Sequence, residues 1–211
     1  MIKLLKNYER PLSLIGLVGF NTALILFRIT VTHSAYFGFL LWNLLLSGVP
    51  FLMSSFICFH PKMSKWAFFT VCFCWLLFLP NAPYIITDFL HFRRPGSMPP
   101  WFDVLLLTSF SFSGILFGLL SMADMQQAWK LRFGNSVAIT FIFCCSLLSG
   151  FGIYLGRFSR FNSWDIIGNP SGLFSGIASI AFELHTIGFT LGYGALIFLF
   201  YFFLKTNSKA L

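Results

Sequence analysis

Asp88 and His91 stand three residues apart in the stretch FLPNAPYIITDFLHFRRPG, residues 78–96. On a helix that spacing brings two side chains together, and a carboxylate beside an imidazole can orient a general acid or base. Arg93 and Arg94 follow directly, and a second pair, Arg157 and Arg160, lies in YLGRFSRFNSWDIIGNPSG, residues 154–172. Guanidinium groups give bidentate, charge-assisted hydrogen bonds to carboxylate and phosphate. The set therefore suits an anion-binding site with four arginines and, in a catalytic version, proton transfer through Asp88 and His91. Asn81, Tyr84, Asn162, Trp164 and Asp165 are the neighbouring polar groups that could position a ligand.

Asp88, His91, Glu183 and His185 would also form an oxygen- and nitrogen-donor set for a metal. D-x-x-H and E-x-H are weak patterns, however, and residues two apart do not share a helix face, so no metal is expected. No phosphate loop, nucleophile motif or cofactor fingerprint occurs, and no cofactor is expected. Cys58, Cys72, Cys74, Cys144 and Cys145 lie in or beside apolar runs without a zinc spacing, and read as small buried hydrophobes.

These polar groups interrupt a chain that is 57% hydrophobic and 9% charged, with a mean hydropathy of +0.82 and 30 phenylalanines among 211 residues. Water-soluble domains carry about a quarter charged residues. The class is a polytopic membrane protein. The net charge of +8 does not indicate nucleic-acid binding, because the basic residues cluster at the ends of apolar runs and form no basic stripe.

Apolar runs bounded by charge, Pro or polar clusters predict an all-α bundle of about six spans, in one integral membrane domain over 1–211. The spans are 12–28, 36–58, 64–79, 102–123, 136–156 and 184–204. The basic, apolar N-terminus reads as an uncleaved first span. The third run covers only about 24 Å at 1.5 Å per residue, short of the bilayer core of about 30 Å. Pro80 should stop or kink it by disfavouring a helical Leu79. Asn81 can then cap a short helix carrying Pro83 in its first turn, with Asn81, Tyr84, Asp88 and His91 on one face. That helix either lies at the interface or completes the third span. Residues 171–182 predict a membrane-surface helix before the last span.

Several other residues read as architecture. Asp103 suits the N-terminus of the fourth span, as a cap or by favouring the helix dipole. Tyr154 and Trp164 read as interface anchors, and Pro50 as a kink in the second span. Gly114/Gly118, Gly152/Gly156 and Gly188/Gly192 have the i, i+4 spacing that lets membrane helices approach closely. Arg157 and Arg160 face together if the fifth helix continues past them.

With both termini in the cytoplasm, inside segments carry nine Lys and Arg and outside segments five. The positive-inside rule favours this orientation, in the cytoplasmic membrane of a cell, and puts both polar clusters on the outer side.

The strings FLPNAPYIITDFLHF, PPWFDVLLL and YLGRFSRFNSWDIIGNP resemble a bacterial membrane-protein family designated domain of unknown function 1361. The resemblance covers nearly the whole chain and implies a multi-span membrane protein without a particular activity. Asn81, Pro83, Tyr84, Asp88, His91, Trp101, Asp103, Arg157, Arg160, Asn162, Trp164 and Asp165 stand in those strings.

Three functions compete. An outward-facing site would bind or process an anionic, phosphate-bearing lipid or lipid-linked headgroup. An assembly or scaffolding subunit would contact a membrane-protein partner or a second copy through its glycine faces, with Asp88 and His91 locked in ion pairs and no cavity. A transporter would show polar groups or broken helices at mid-membrane, and only one break is visible. Separation of Asp88 and Arg157 across the bundle would exclude a shared site.

Overall fold

The computed structural model describes residues 2–92, 98–161 and 165–207, without the side chains of 2–11, Asp165, Ile167 and Asn207. The described residues form helices α1 (Ile2–Thr32), α2 (Phe39–Phe59), α3 (Lys65–Phe78) and α4 (Asn81–Tyr84), then a 3-10 segment (Ile85–His91). There follow α5 (Pro100–Phe133), α6 (Asn135–Arg157), α7 (Asp165–Gly168), α8 (Pro170–Ile180) and α9 (Leu184–Asn207). Six stretches are long and apolar enough to cross a membrane: Leu12–Thr32, Phe39–Phe59, Lys65–His91, Pro100–Phe133, Asn135–Arg157 and Leu184–Thr206. The protein is an all-helical, membrane-embedded bundle. In hydrocarbon every backbone N–H and C=O must be satisfied within the chain, which favours such helices.

Local chemistry sets several boundaries. The Ser64 hydroxyl accepts a hydrogen bond from Ala67 N at 3.2 Å and caps α3. Gly134, at φ +89°, is the single residue separating α5 from α6. A side chain is strongly disfavoured at that φ, so glycine permits the abrupt reversal. α2 runs through Pro50 without ending, and α8 supplies a helix in the stretch 171–182 where one is expected.

α5 is the most buried span. On one side its Leu106, Leu107 and Phe110 pack with Ile25 of α1, Leu40 of α2 and Ile85. On the other, Met122 and Met125 join Phe68 and Trp75 of α3, Ile142 and Ile153 of α6 and Tyr201 of α9. Asp103 lies in the first turn of α5 but caps nothing, contrary to one reading of the sequence. Its carboxylate accepts from Arg28 Nε at 2.7 Å and Nη2 at 3.2 Å. The Arg28 guanidinium also lies 4.4 Å from the centre of the Phe37 ring, a cation–π contact.

The third span is interrupted where the sequence places the break, α3 ending at Phe78 and α4 opening at Asn81, but not through a non-helical Leu79. Leu79 (φ −53°, ψ −41°) and Pro80 (φ −59°, ψ −26°) both keep helical dihedrals. Leu79 is 1% exposed, and its N–H still reaches Trp75 O at 2.9 Å, so packing overrides the steric preference before proline. Asn81 is the first residue of α4, with Pro80 at the cap position, and its Nδ2 donates to Phe78 O at 3.0 Å. The segment then tightens to 3-10 after Tyr84. Side chains at i and i+3 eclipse in that geometry, which stacks Ile85, Asp88 and His91 in one row.

Two of the three glycine pairs hold this irregular segment. A Cβ on Gly114 would stand 2.5 Å from Ala82 O, and one on Gly118 would stand 2.9 Å from Ala82 Cβ. A Cβ on Gly152 would strike Pro80 Cγ, and one on Gly156 would lie 3.2 Å from Tyr84 Cε2. α5 and α6 therefore present glycine grooves to the two sides of residues 80–85. The third pair does not act this way, since Gly188 and Gly192 have open space around them. Close approach of α6 and α9 uses Gly150 and Gly194 instead: a Cβ on Gly150 would be 2.8 Å from Gly194 N. Gly114→Val should lower stability by about 1–3 kcal/mol through overpacking, while Gly188→Ala should be neutral or slightly stabilising. Thermal unfolding in detergent checks both, and equal midpoints for the two variants would contradict the groove.

Candidate functional site

Asp88 and His91 of the 3-10 segment face a cavity of about 820 Å³. Asn43 of α2, Asn81, Tyr84, Asp88, His91, Arg157 and Arg160 all line it. The two polar clusters, separated by some seventy residues of sequence, thus meet in space.

Asp88, at 1% exposed, is a deeply buried member of this lining. Asn43 Nδ2 donates to Asp88 Oδ2 at 2.8 Å, and Arg157 Nη1 lies 3.6 Å from Oδ1. The carboxylate is thus neutralised by one arginine and hydrogen-bonded by one amide, as a buried charge requires. His91 Nδ1 is 3.9 Å from Asp88 Oδ1, too far for a hydrogen bond. Its nearer neighbour is Arg157 Nη2, at 3.4 Å. Arginine has only donors to offer, so a hydrogen bond there requires a lone pair on Nδ1. Asp88 and His91 are thus neighbours without a direct side-chain hydrogen bond, and Arg157 contacts both. Phe39 packs on the imidazole with ring centres 5.2 Å apart.

Arg157 is the hub. Its Nη2 also donates to Thr87 O at 2.8 Å, joining the last turn of α6 to the 3-10 segment. A guanidinium carries five donors, which leaves capacity toward the cavity. Arg160 reaches the same space by a route the sequence did not suggest. α6 ends at Arg157, so helical continuation does not align the pair. Phe158 N still bonds Tyr154 O at 2.9 Å, Phe161 N turns back to Leu155 O at 3.1 Å, and Arg160 adopts φ +59°. The left-handed residue folds the chain back over the helix end.

The other walls are apolar. They come from Leu46 of α2, Leu76 and Leu77 of α3, Leu148, Phe151 and Leu155 of α6, and Leu173, Phe174 and Ile177 of α8. Phe161 seats α8 against the site: a Cβ on Gly176 would lie 2.6 Å from its ring.

Arg93, Arg94, Asn162 and Trp164 lie outside the described residues, and Asp165 is placed by its backbone alone, at the start of α7. Glu183 and His185 do not join Asp88 and His91. Among the described residues no group of three or more His, Cys, Asp and Glu is gathered to hold a metal. His185 Nδ1 instead lies 3.4 Å from the Tyr154 hydroxyl, and its ring packs against Tyr154 and Phe158. Tyr154, read as an interface anchor, is buried in that cluster. Asn43 is the polar site residue that sequence reasoning did not select; its signal is an isolated amide within the apolar second span.

No curated protein and no solved structure matches the chain. A family match extends over residues 42–200. The chain belongs to the family described as Protein of unknown function (DUF1361).

Proposed function

We propose that the cavity binds the phosphate-bearing headgroup of an anionic lipid or lipid-linked molecule. The observation that carries this reading is the cavity's division into a polar end with Arg157 and Arg160 and walls of hydrocarbon. Arginine pairs supply the fork geometry that phosphate oxygens accept. Only Asp88 opposes them at that end among the described residues, and it is neutralised by Arg157. Arg157 stands at the terminus of a helix of 23 residues, roughly 34 Å long, which suits the headgroup level of a bilayer. In this reading the cavity faces away from the cytoplasm of the cell membrane, as the nine-to-five excess of Lys and Arg toward the other side supports.

The test uses the full chain in phosphatidylcholine nanodiscs, with phosphatidic acid added as a minor component. Retention of phosphatidic acid should exceed that of an uncharged lipid. Arg160→Gln should weaken that retention about tenfold or more, the scale of a hydrogen bond to a charged group. Arg160 is exposed, so the unfolding midpoint should stay unchanged. Equal retention of charged and uncharged lipid would overturn the proposal.

A further inference from the structure

We infer that the cavity holds not only a phosphate but also part of the hydrocarbon chain attached to it, in a trench that descends along α6 from Arg157 to Leu148. The inference rests on the headgroup reading and specifies its ligand class: an amphiphile with a long aliphatic tail, and neither free phosphate nor a lipid whose chains stay wholly in the bilayer.

Leu148 and Arg157 both line the cavity and lie nine residues apart on one helix, about 14 Å at 1.5 Å per residue. That is close to half of the hydrocarbon thickness. Between them Phe151 and Leu155 face the same space, opposed by Leu76 and Leu77 of α3. A phosphate at the arginines fills only the polar end. About 820 Å³ is in the range of sites that enclose a drug-sized molecule, and the lower walls offer a water-soluble ligand no hydrogen-bonding side chain.

Three apolar lining residues are open to the surroundings: Trp42 is 56% exposed, Leu148 50% and Phe174 63%. In a bilayer such residues meet lipid, so the cavity communicates with hydrocarbon at its edges. The polar end lies at one terminus of α6 and the apolar end toward its middle, the same order in which a membrane lipid carries headgroup and tail. A tail can therefore enter sideways without inverting or leaving the membrane.

The experiment uses the full chain in phosphatidylcholine nanodiscs with a phosphatidic acid probe bearing a diazirine midway along one acyl chain. A phosphatidylcholine probe with the same diazirine serves as control. The expected result is enrichment of the phosphatidic acid adducts at Phe151, Leu155 and Leu77 over control. Leu148→Trp, which adds bulk at an exposed position of the trench, should cut those adducts several-fold and weaken retention of phosphatidic acid with them. Preferential retention with adducts confined to Trp42, Phe174 and outward-facing residues such as Phe143 would overturn the trench and leave the headgroup reading standing. Equal labelling of the trench by both probes would overturn the headgroup reading, and with it the claim that the trench serves the phosphate-bearing ligand.

Discussion

Arg157→Leu should destabilise the protein by about 3–5 kcal/mol, the usual result of removing one partner from a buried ion pair. The replacement leaves the Asp88 carboxylate, 1% exposed, with Asn43 as its hydrogen-bonding side chain. It also removes the donor from Thr87 O, loosening the tie between α6 and the 3-10 segment. Asp88→Asn in the same background removes the stranded charge and should restore part of the loss. The two changes should couple by about 0.5–3 kcal/mol, as residues of one network do. Denaturant unfolding of the four proteins closes the cycle. Additive effects would mean that Arg157 and Asp88 do not share a network. Lipid retention separates stability from binding: Asp88→Asn alone keeps both arginines and should retain phosphatidic acid, whereas the double variant should not, although its fold is partly recovered. That pattern of retention would mark Asp88 as a positioning residue for Arg157.

The spans were legible because hydrocarbon leaves the chain little freedom: apolar runs of sufficient length fold into helices, whatever their detailed sequence. The shared face of Asn81, Tyr84, Asp88 and His91 was legible from spacing, and both helical periods bring Asp88 and His91 together. The interruption between Phe78 and Asn81 was legible from Pro80, but the helical dihedrals of Leu79 and Pro80 were not. A local steric preference predicted a non-helical Leu79, while the contacts that hold this segment come from Gly114, Gly118 and Gly152 on helices distant in sequence. The convergence of Arg157 and Arg160 was anticipated for the wrong reason, because a left-handed Arg160 achieves what helical continuation does not. Glycine spacing alone could not separate the grooves of α5 and α6 from the open positions Gly188 and Gly192, since the pattern states that close approach is possible and not that a partner is there. Asn43 gave only the weak signal of one amide in an apolar span. Its meaning depends on Asp88, 45 residues away.

The same reasoning gives the opposite expectation for the second buried ion pair. Arg28 and Asp103 join α1 to the first turn of α5 with two hydrogen bonds at 2.7 and 3.2 Å, and neither lines the cavity. Asp103→Ala should cost about 3–5 kcal/mol, because a guanidinium that is 5% exposed then loses its carboxylate. The guanidinium over the Phe37 ring recovers little, on the order of 1–2 kcal/mol for a desolvated cation–π contact. Replacing both partners, Arg28→Met with Asp103→Leu, removes both desolvation costs and leaves groups that pack. Such double replacements are commonly neutral or stabilising by about 1–4 kcal/mol, and here the site offers Phe27, Phe37 and Phe102 as apolar neighbours. Unfolding midpoints should therefore fall sharply for the single variant and return to or pass the original value for the double. Retention of phosphatidic acid should be unchanged in the double variant. A double variant as unstable as the single would show that the pair itself fixes how α1 docks on α5. A double variant that is stable but loses lipid would connect the pair to the cavity through α5, whose glycine groove carries the segment bearing Asp88.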